Sequence, residues 1–185
     1  MGNALPVDQR LETAGNLVVR TRIFYDIWWF FKGEKTRPAI ADTMQCYSEF
    51  FRFDEHAHFV AFVVHIAALF DKRRDTIKLP RLVKELKGLI SAQDHADVAA
   101  LLDQATPLVS KVTILRNNLF AHRSAAVSYA DAFKKADVTP NDLRDLTEIA
   151  LKVVNRLLIA RGFRDQVFAE LPLEDASKML KALAR

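Results

Sequence analysis

The sequence predicts an all-α, up-and-down helical bundle with additional peripheral helices, and three observations carry that expectation. Apolar residues recur at three- and four-residue spacing along most of the chain. No stretch alternates with period two for long enough to suggest a strand. Five Gly and six Pro among 185 residues are too few for the turn density of a sandwich or propeller. The composition, 50% hydrophobic and 27% charged, excludes a disordered or collagen-like chain. The length suits one domain over residues 1–185 with a single substantial core.

The first helix is expected over Leu11 to Phe31, where Leu17, Phe24 and Phe31 stand seven apart beside a second line of Ala14, Thr21 and Trp28. It should end at Lys32-Gly33. A basic loop through Pro38 then leads to a helix over Ala39 to Arg52. A third helix after Asp54 is apolar nearly all round and belongs at the centre. Ser91 with Asp94, and Thr139 with Asp142, fit the hydroxyl-x-x-acid pattern of a helix start. Between them Val98, Ala105, Val112 and Leu119 form one heptad line, and Leu101, Leu108, Leu115 and His122 its partner. Pro107 has no amide to donate, so Thr106-Pro107 restarts or kinks this helix. The Thr139 helix continues through Leu157 and Ala160 until Arg161-Gly162 closes it, and a short amphipathic helix follows Pro172.

Cys46 is the lone cysteine, which excludes an intramolecular disulfide or a multi-cysteine metal site and points to a reducing cytoplasm. The first residues carry no secretory signal, and Pro6 occupies the position where N-myristoylation requires Ser or Thr. The most apolar run, Ala57 to Phe70, falls short of the roughly 20 residues of a membrane span, so no membrane association is expected. The formal charge of +4 and sequence pI of about 9.3 favour an acidic partner.

Chemistry concentrates in the segment Leu115 to Arg123, Leu-Arg-Asn-Asn-Leu-Phe-Ala-His-Arg. Two consecutive Asn in a helix each cost up to roughly 0.7 kcal/mol relative to Ala, because their amides compete for the backbone. His122 falls on the apolar seam after Leu115, so the stripe turns polar at the helix end. This segment resembles the motif of the HEPN superfamily, an Arg with a polar follower and, after four to six intervening residues, a His near the end of a helix. Its wording looks most like the abortive-infection AbiU-type branch. The resemblance implies a small helical homodimer paired through the motif helices that cleaves RNA without a metal. Arg116, Asn117 and His122 match the catalytic positions, and Asn118 is a candidate RNA contact.

The same spacing occurs at Arg52 and His58, but these are read as straddling a helix end at Phe53-Asp54, and no polar residue follows Arg52. On an ideal helix, six steps of about 100° put Arg116 and His122 some 120° apart. One straight helix therefore cannot aim both at one phosphate: either it breaks near Ala121, or two chains form a composite site. Imidazole and guanidinium supply what the reaction needs, a base, an acid and cations for the phosphoryl oxygens.

Weaker clusters accompany the motif. Lys72, Arg73, Arg74, Lys78, Arg81, Lys84 and Lys87 form a basic stretch that either tracks an RNA backbone or is an ordinary solvated face. His58 and His65 share a helix face with His56 nearby, yet no carboxylate at i+3 or i+4 completes a metal site, and none is expected. The aromatic group from Phe24 to Phe31 reads as core, with Tyr25 and Trp29 off the main stripe and available to a partner. The expected partners are RNA, a second copy, and an antitoxin or regulatory protein. The alternative is a catalytically inactive HEPN-like module that binds a protein or RNA.

Overall fold

The computed structural model describes residues 5–71, 76–121 and 128–184, and among them every regular element is helical. The order is α1 (Val7–Lys32), α2 (Arg37–Cys46), α3 (Ser48–Phe70), α4 (Leu79–Leu86), α5 (Ala92–Leu115), a π-helical segment (Arg116–Ala121), α6 (Tyr129–Ala136), α7 (Pro140–Ala160) and α8 (Leu171–Leu183). Helix α1 packs most extensively on α3 and α7, and α5 packs on α7. The main core lies between these four helices, with Leu11, Val18, Phe62, Ile66, Val98, Leu115, Leu146 and Leu157 among its fully buried residues. A satellite core of Phe31, Ile40, Met44, Phe51 and Leu180 ties α2 and α8 to the end of α1.

Both expected helix caps form. Ser91 Oγ accepts the Asp94 N–H, and Thr139 and Asp142 form a reciprocal capping box. Arg161-Gly162 closes α7, with Gly162 at φ 79° and Phe163 N–H donating to Leu158. Burial pushes the Asp142 carboxyl up, but the Thr139 N–H, Lys111 and the Thr139 hydroxyl outweigh it and hold it below its ordinary value. Its stabilising contribution is therefore present above the usual aspartate range and lost as pH falls through the lowered value. Asp142→Ala is expected to cost about 1 kcal/mol in urea denaturation at neutral pH, and the difference should shrink in acid.

Several boundaries differ from expectation. Helix α3 begins at Ser48 rather than after Asp54, separated from α2 by Tyr47 alone (φ −120°, ψ 39°). Arg52 and His58 therefore sit on one helix and straddle no helix end. The 23 residues of α3 also exceed the 14-residue run read from sequence. Both it and Ala92–Phe120 are long and apolar enough to cross a membrane by length and composition, yet both pack into the bundle core, α3 through Phe59, Phe62 and Ile66. Pro107 neither breaks nor restarts α5, which runs continuously from Ala92 to Leu115. Along α1 the buried line is Leu11, Ala14, Val18, Thr21 and Tyr25, while Leu17 and Phe24 are only partly buried.

A polar network joins α1 to α7. Arg22 Nε donates to Asp26 Oδ1 (2.7 Å), and its Nη1 donates to Glu148 Oε1 (2.7 Å) and Thr147 Oγ1 (3.3 Å). The guanidinium lies 4.4 Å from the centroid of Phe168, in the strap between α7 and α8. Asn155 pins the same strap, donating to the Gln166 carbonyl and accepting its N–H, each at 2.8 Å. Burial pushes the Asp26 carboxyl up even though Arg22 opposes the shift.

Candidate functional site

The local sequence accounts for the change of helix type at Arg116. Asn118 Nδ2 donates to the Ile114 carbonyl at 2.7 Å, an acceptor that an α-helix would reserve for the Asn118 N–H. With its side chain in competition for that carbonyl, the ladder widens into i→i+5 geometry. Such π segments recur at functional sites. The wider turn brings Phe120, five residues after Leu115, against α3, with ring centroids 5.9 Å from Phe59 and 6.2 Å from His56. Phe120 thus takes the inward place that the heptad reading assigned to Leu119, which is also half-buried.

Arg116 is half-buried and faces the C-terminal end of α3. Its Nη2 lies 3.9 Å from Asp71 Oδ2 and its Nη1 donates to Asn117 Oδ1 at 3.3 Å, while the Asn117 side chain is exposed. Asp71 caps α3 in extended conformation and is a site residue that sequence reasoning passed over. Its position directly after the apolar run ending at Phe70 was the available signal. Arg116, Asn117 and Asn118 are thus adjacent on one widened turn. His122, Lys72, Arg73 and Arg74 lie outside the described residues.

The rest of the basic stretch divides. Lys78, expected to contact RNA, is 2% exposed, and its Nζ has no hydrogen-bond partner among the described residues, so in this fold it is not part of a solvent-facing cationic surface. Arg81 is on the surface of α4, and its Nε donates to Glu85 at 2.7 Å, which offsets part of its charge. Lys84 and Lys87 are exposed.

The histidines of α3 do not converge. His58 and His65 flank Phe24, with ring centroids 6.1 and 5.2 Å from it. Their Nδ1 atoms approach the Asp54 and Ala61 carbonyls at 2.9 and 2.7 Å, and since a carbonyl only accepts, Nδ1 carries the proton in both. His56 points instead toward Phe120. Among the described residues no group of three or more His, Cys, Asp or Glu could hold a metal ion. Tyr25, read as free for a partner, is 3% exposed and donates to the Pro140 carbonyl at 3.1 Å, and burial pushes its hydroxyl up to about 12. Trp29 remains at the surface.

A helical bundle in which the core helix α5 continues into Arg-Asn-Asn-Leu-Phe-Ala, with His122 next in the sequence, fits the HEPN class. The chain belongs to the HEPN family AbiU2, which matches it over residues 6–179. No curated protein and no solved structure matches it.

Proposed function

We propose that this chain is a metal-independent endoribonuclease of the HEPN type, acting as a toxin or in abortive infection, and that two copies pair their motif helices into a composite site. The observation that carries this reading is the half-buried Arg116 guanidinium standing beside the exposed Asn117 where α5 widens, with Arg116 six residues before His122 in the chain. Arg116 offers a planar fork to the phosphoryl oxygens, and the Asn117 amide orients the phosphate or the imidazole. A neutral His122 takes the 2′-hydroxyl proton, and the 2′-oxygen attacks phosphorus. The bond to the 5′-oxygen then breaks, and a protonated His122 of the second copy supplies the leaving group's proton. Unperturbed imidazole titrates at about 6.5, so both forms coexist at neutral pH.

Asp71, which approaches Arg116, leads directly into Lys72, Arg73 and Arg74 in the chain, which favours that basic run as the RNA-tracking segment. A nuclease of this kind needs a restraining partner, and an antitoxin or regulatory protein belongs to the proposal.

The test is incubation of the purified protein with total RNA, with and without a chelator, alongside light scattering at micromolar concentration. A dimer is expected, with cleavage that resists the chelator, leaves 2′,3′-cyclic phosphate ends and spares substrates lacking the 2′-hydroxyl. Intact RNA would transfer the reading to an inactive binding module. Cleavage abolished by the chelator would refute the metal-free chemistry, and a monomer the composite site.

A further inference from the structure

Away from the motif, a cleft of about 240 Å³ opens between α2 and α8. It is smaller than the roughly 300–1,000 Å³ typical of sites for drug-sized ligands, so its occupant is small. Its floor is apolar, formed by Ile40 and Leu180 of the satellite core, which are 8% and 1% exposed. Thr43 lines the cleft and is 7% exposed, yet its hydroxyl makes no hydrogen bond to any described residue. Thr13, Thr21, Thr106 and Thr147 behave otherwise, each donating to a carbonyl three or four residues earlier in its own helix. Ser177 of α8, also on the lining, is likewise without a hydrogen-bond partner among the described residues.

The charges at this cleft follow the same pattern. Lys35 stands just before α2 and Lys181 in the last turn of α8, and neither pairs with a carboxylate among the described residues. Their neighbours are engaged: Lys32 and Arg37 share Glu55, and Lys178 pairs with Glu174 and Asp175. Two unpaired lysines, two hydroxyl side chains and an apolar floor therefore line one small space.

We infer that this cleft binds a small amphipathic anion. Its anionic oxygens sit with Lys35 and Lys181 and accept from Thr43 and Ser177, while its short apolar body lies on Ile40 and Leu180. A carboxylate and a phosphate monoester share this head-group chemistry. Because α8 packs on α1 and α2, an occupant bridging α2 and α8 fastens the C-terminal helix to the bundle.

The full chain is titrated with octanoate, octyl phosphate, octylamine and inorganic phosphate, followed by calorimetry and by hydrogen exchange of the α8 amides. Octanoate or octyl phosphate is expected to bind and slow α8 exchange; the one that binds identifies the head group, and octylamine and inorganic phosphate should do neither. The double variant Lys35→Gln/Lys181→Gln, altered only at exposed side chains, should weaken binding at least tenfold. The near-isosteric Thr43→Val should weaken it by about tenfold, the factor expected for one charge-assisted hydrogen bond. The inference is overturned if neither anion binds at millimolar concentration, if octylamine binds as well as they do, or if binding survives in both variants.

Discussion

His122→Ala is expected to slow RNA cleavage by about 10² to 10⁴, the range that general acid–base catalysis contributes, while leaving the melting temperature unchanged. Arg116→Ala should be comparably damaging, since it removes charge-assisted hydrogen bonds aimed at the phosphoryl oxygens. It should also cost little stability, because among the described residues Arg116 has only the 3.9 Å approach of Asp71 and the bond to Asn117 to lose. Arg116→Lys should restore activity only in part, as a point charge lacks the fork. Asp71→Asn separates positioning from chemistry. If the carboxylate aims the guanidinium, this change raises KM more than it lowers kcat, whereas a purely structural Asp71 would move neither. Cleavage that persists in both His122→Ala and Arg116→Ala would remove the proposed mechanism.

The largest effect on stability from a charged residue is expected at Arg22. Its side chain is 15% exposed and serves Asp26, Glu148 and Thr147 at once, so Arg22→Met leaves a half-buried carboxylate without its cation. Removing one partner of a buried pair costs about 3 to 5 kcal/mol, and the partial exposure here sets the expectation near 3. Burial already raises the Asp26 carboxyl, and without Arg22 nothing opposes that rise. A carboxylate raised in the folded state favours folding below its unfolded pKa and disfavours it once ionised. The cost of Arg22→Met should therefore be full at neutral pH and shrink as pH falls through the raised Asp26 value. Adding Asp26→Leu should recover most of the loss. Denaturant curves at several pH values check all three statements, and a pH-independent loss would show that packing against Phe168, rather than the charge, is what Arg22 supplies.

What was legible in the sequence depended on how local the cause is. Ser91 and Thr139 announced their helices because a cap is satisfied within four residues, and Gly162 announced its stop because a positive φ favours glycine. Ser128 and Asp131 carry the same pattern and start α6, which the reading passed over. The break between α2 and α3 was illegible because Tyr47 is neither Gly nor Pro, and misplacing it put Arg52 and His58 on separate helices. Lys78 looked like one more surface cation among several; its burial depends on where α4 docks, which spacing does not encode. The Arg22 network spans more than a hundred residues of sequence and has no local mark. At the motif, the paired Asn residues signalled that helix stability had been overridden, but a reading built on 100° per residue had no means of representing a wider turn.

The π segment can also be counted in residues. A turn closed by i→i+5 bonds holds one residue more than a turn closed by i→i+4 bonds, so the stretch from Leu115 to Phe120 carries one residue that core packing does not need. In a chain one residue shorter, Leu115 and the phenylalanine would stand four apart on an ordinary α-helix and meet α3 from the same face. The surplus position is the one whose side chain contributes least to the interior, the exposed Asn117. Excising it would leave the hydrophobic contacts in phase and remove only a polar group and the local widening that presents it. Relaxing the intact segment to α would do the opposite, keeping every residue and turning all that follows by about 100°. The interior can therefore tolerate the shorter chain, and what the extra residue alters is the surface around Arg116.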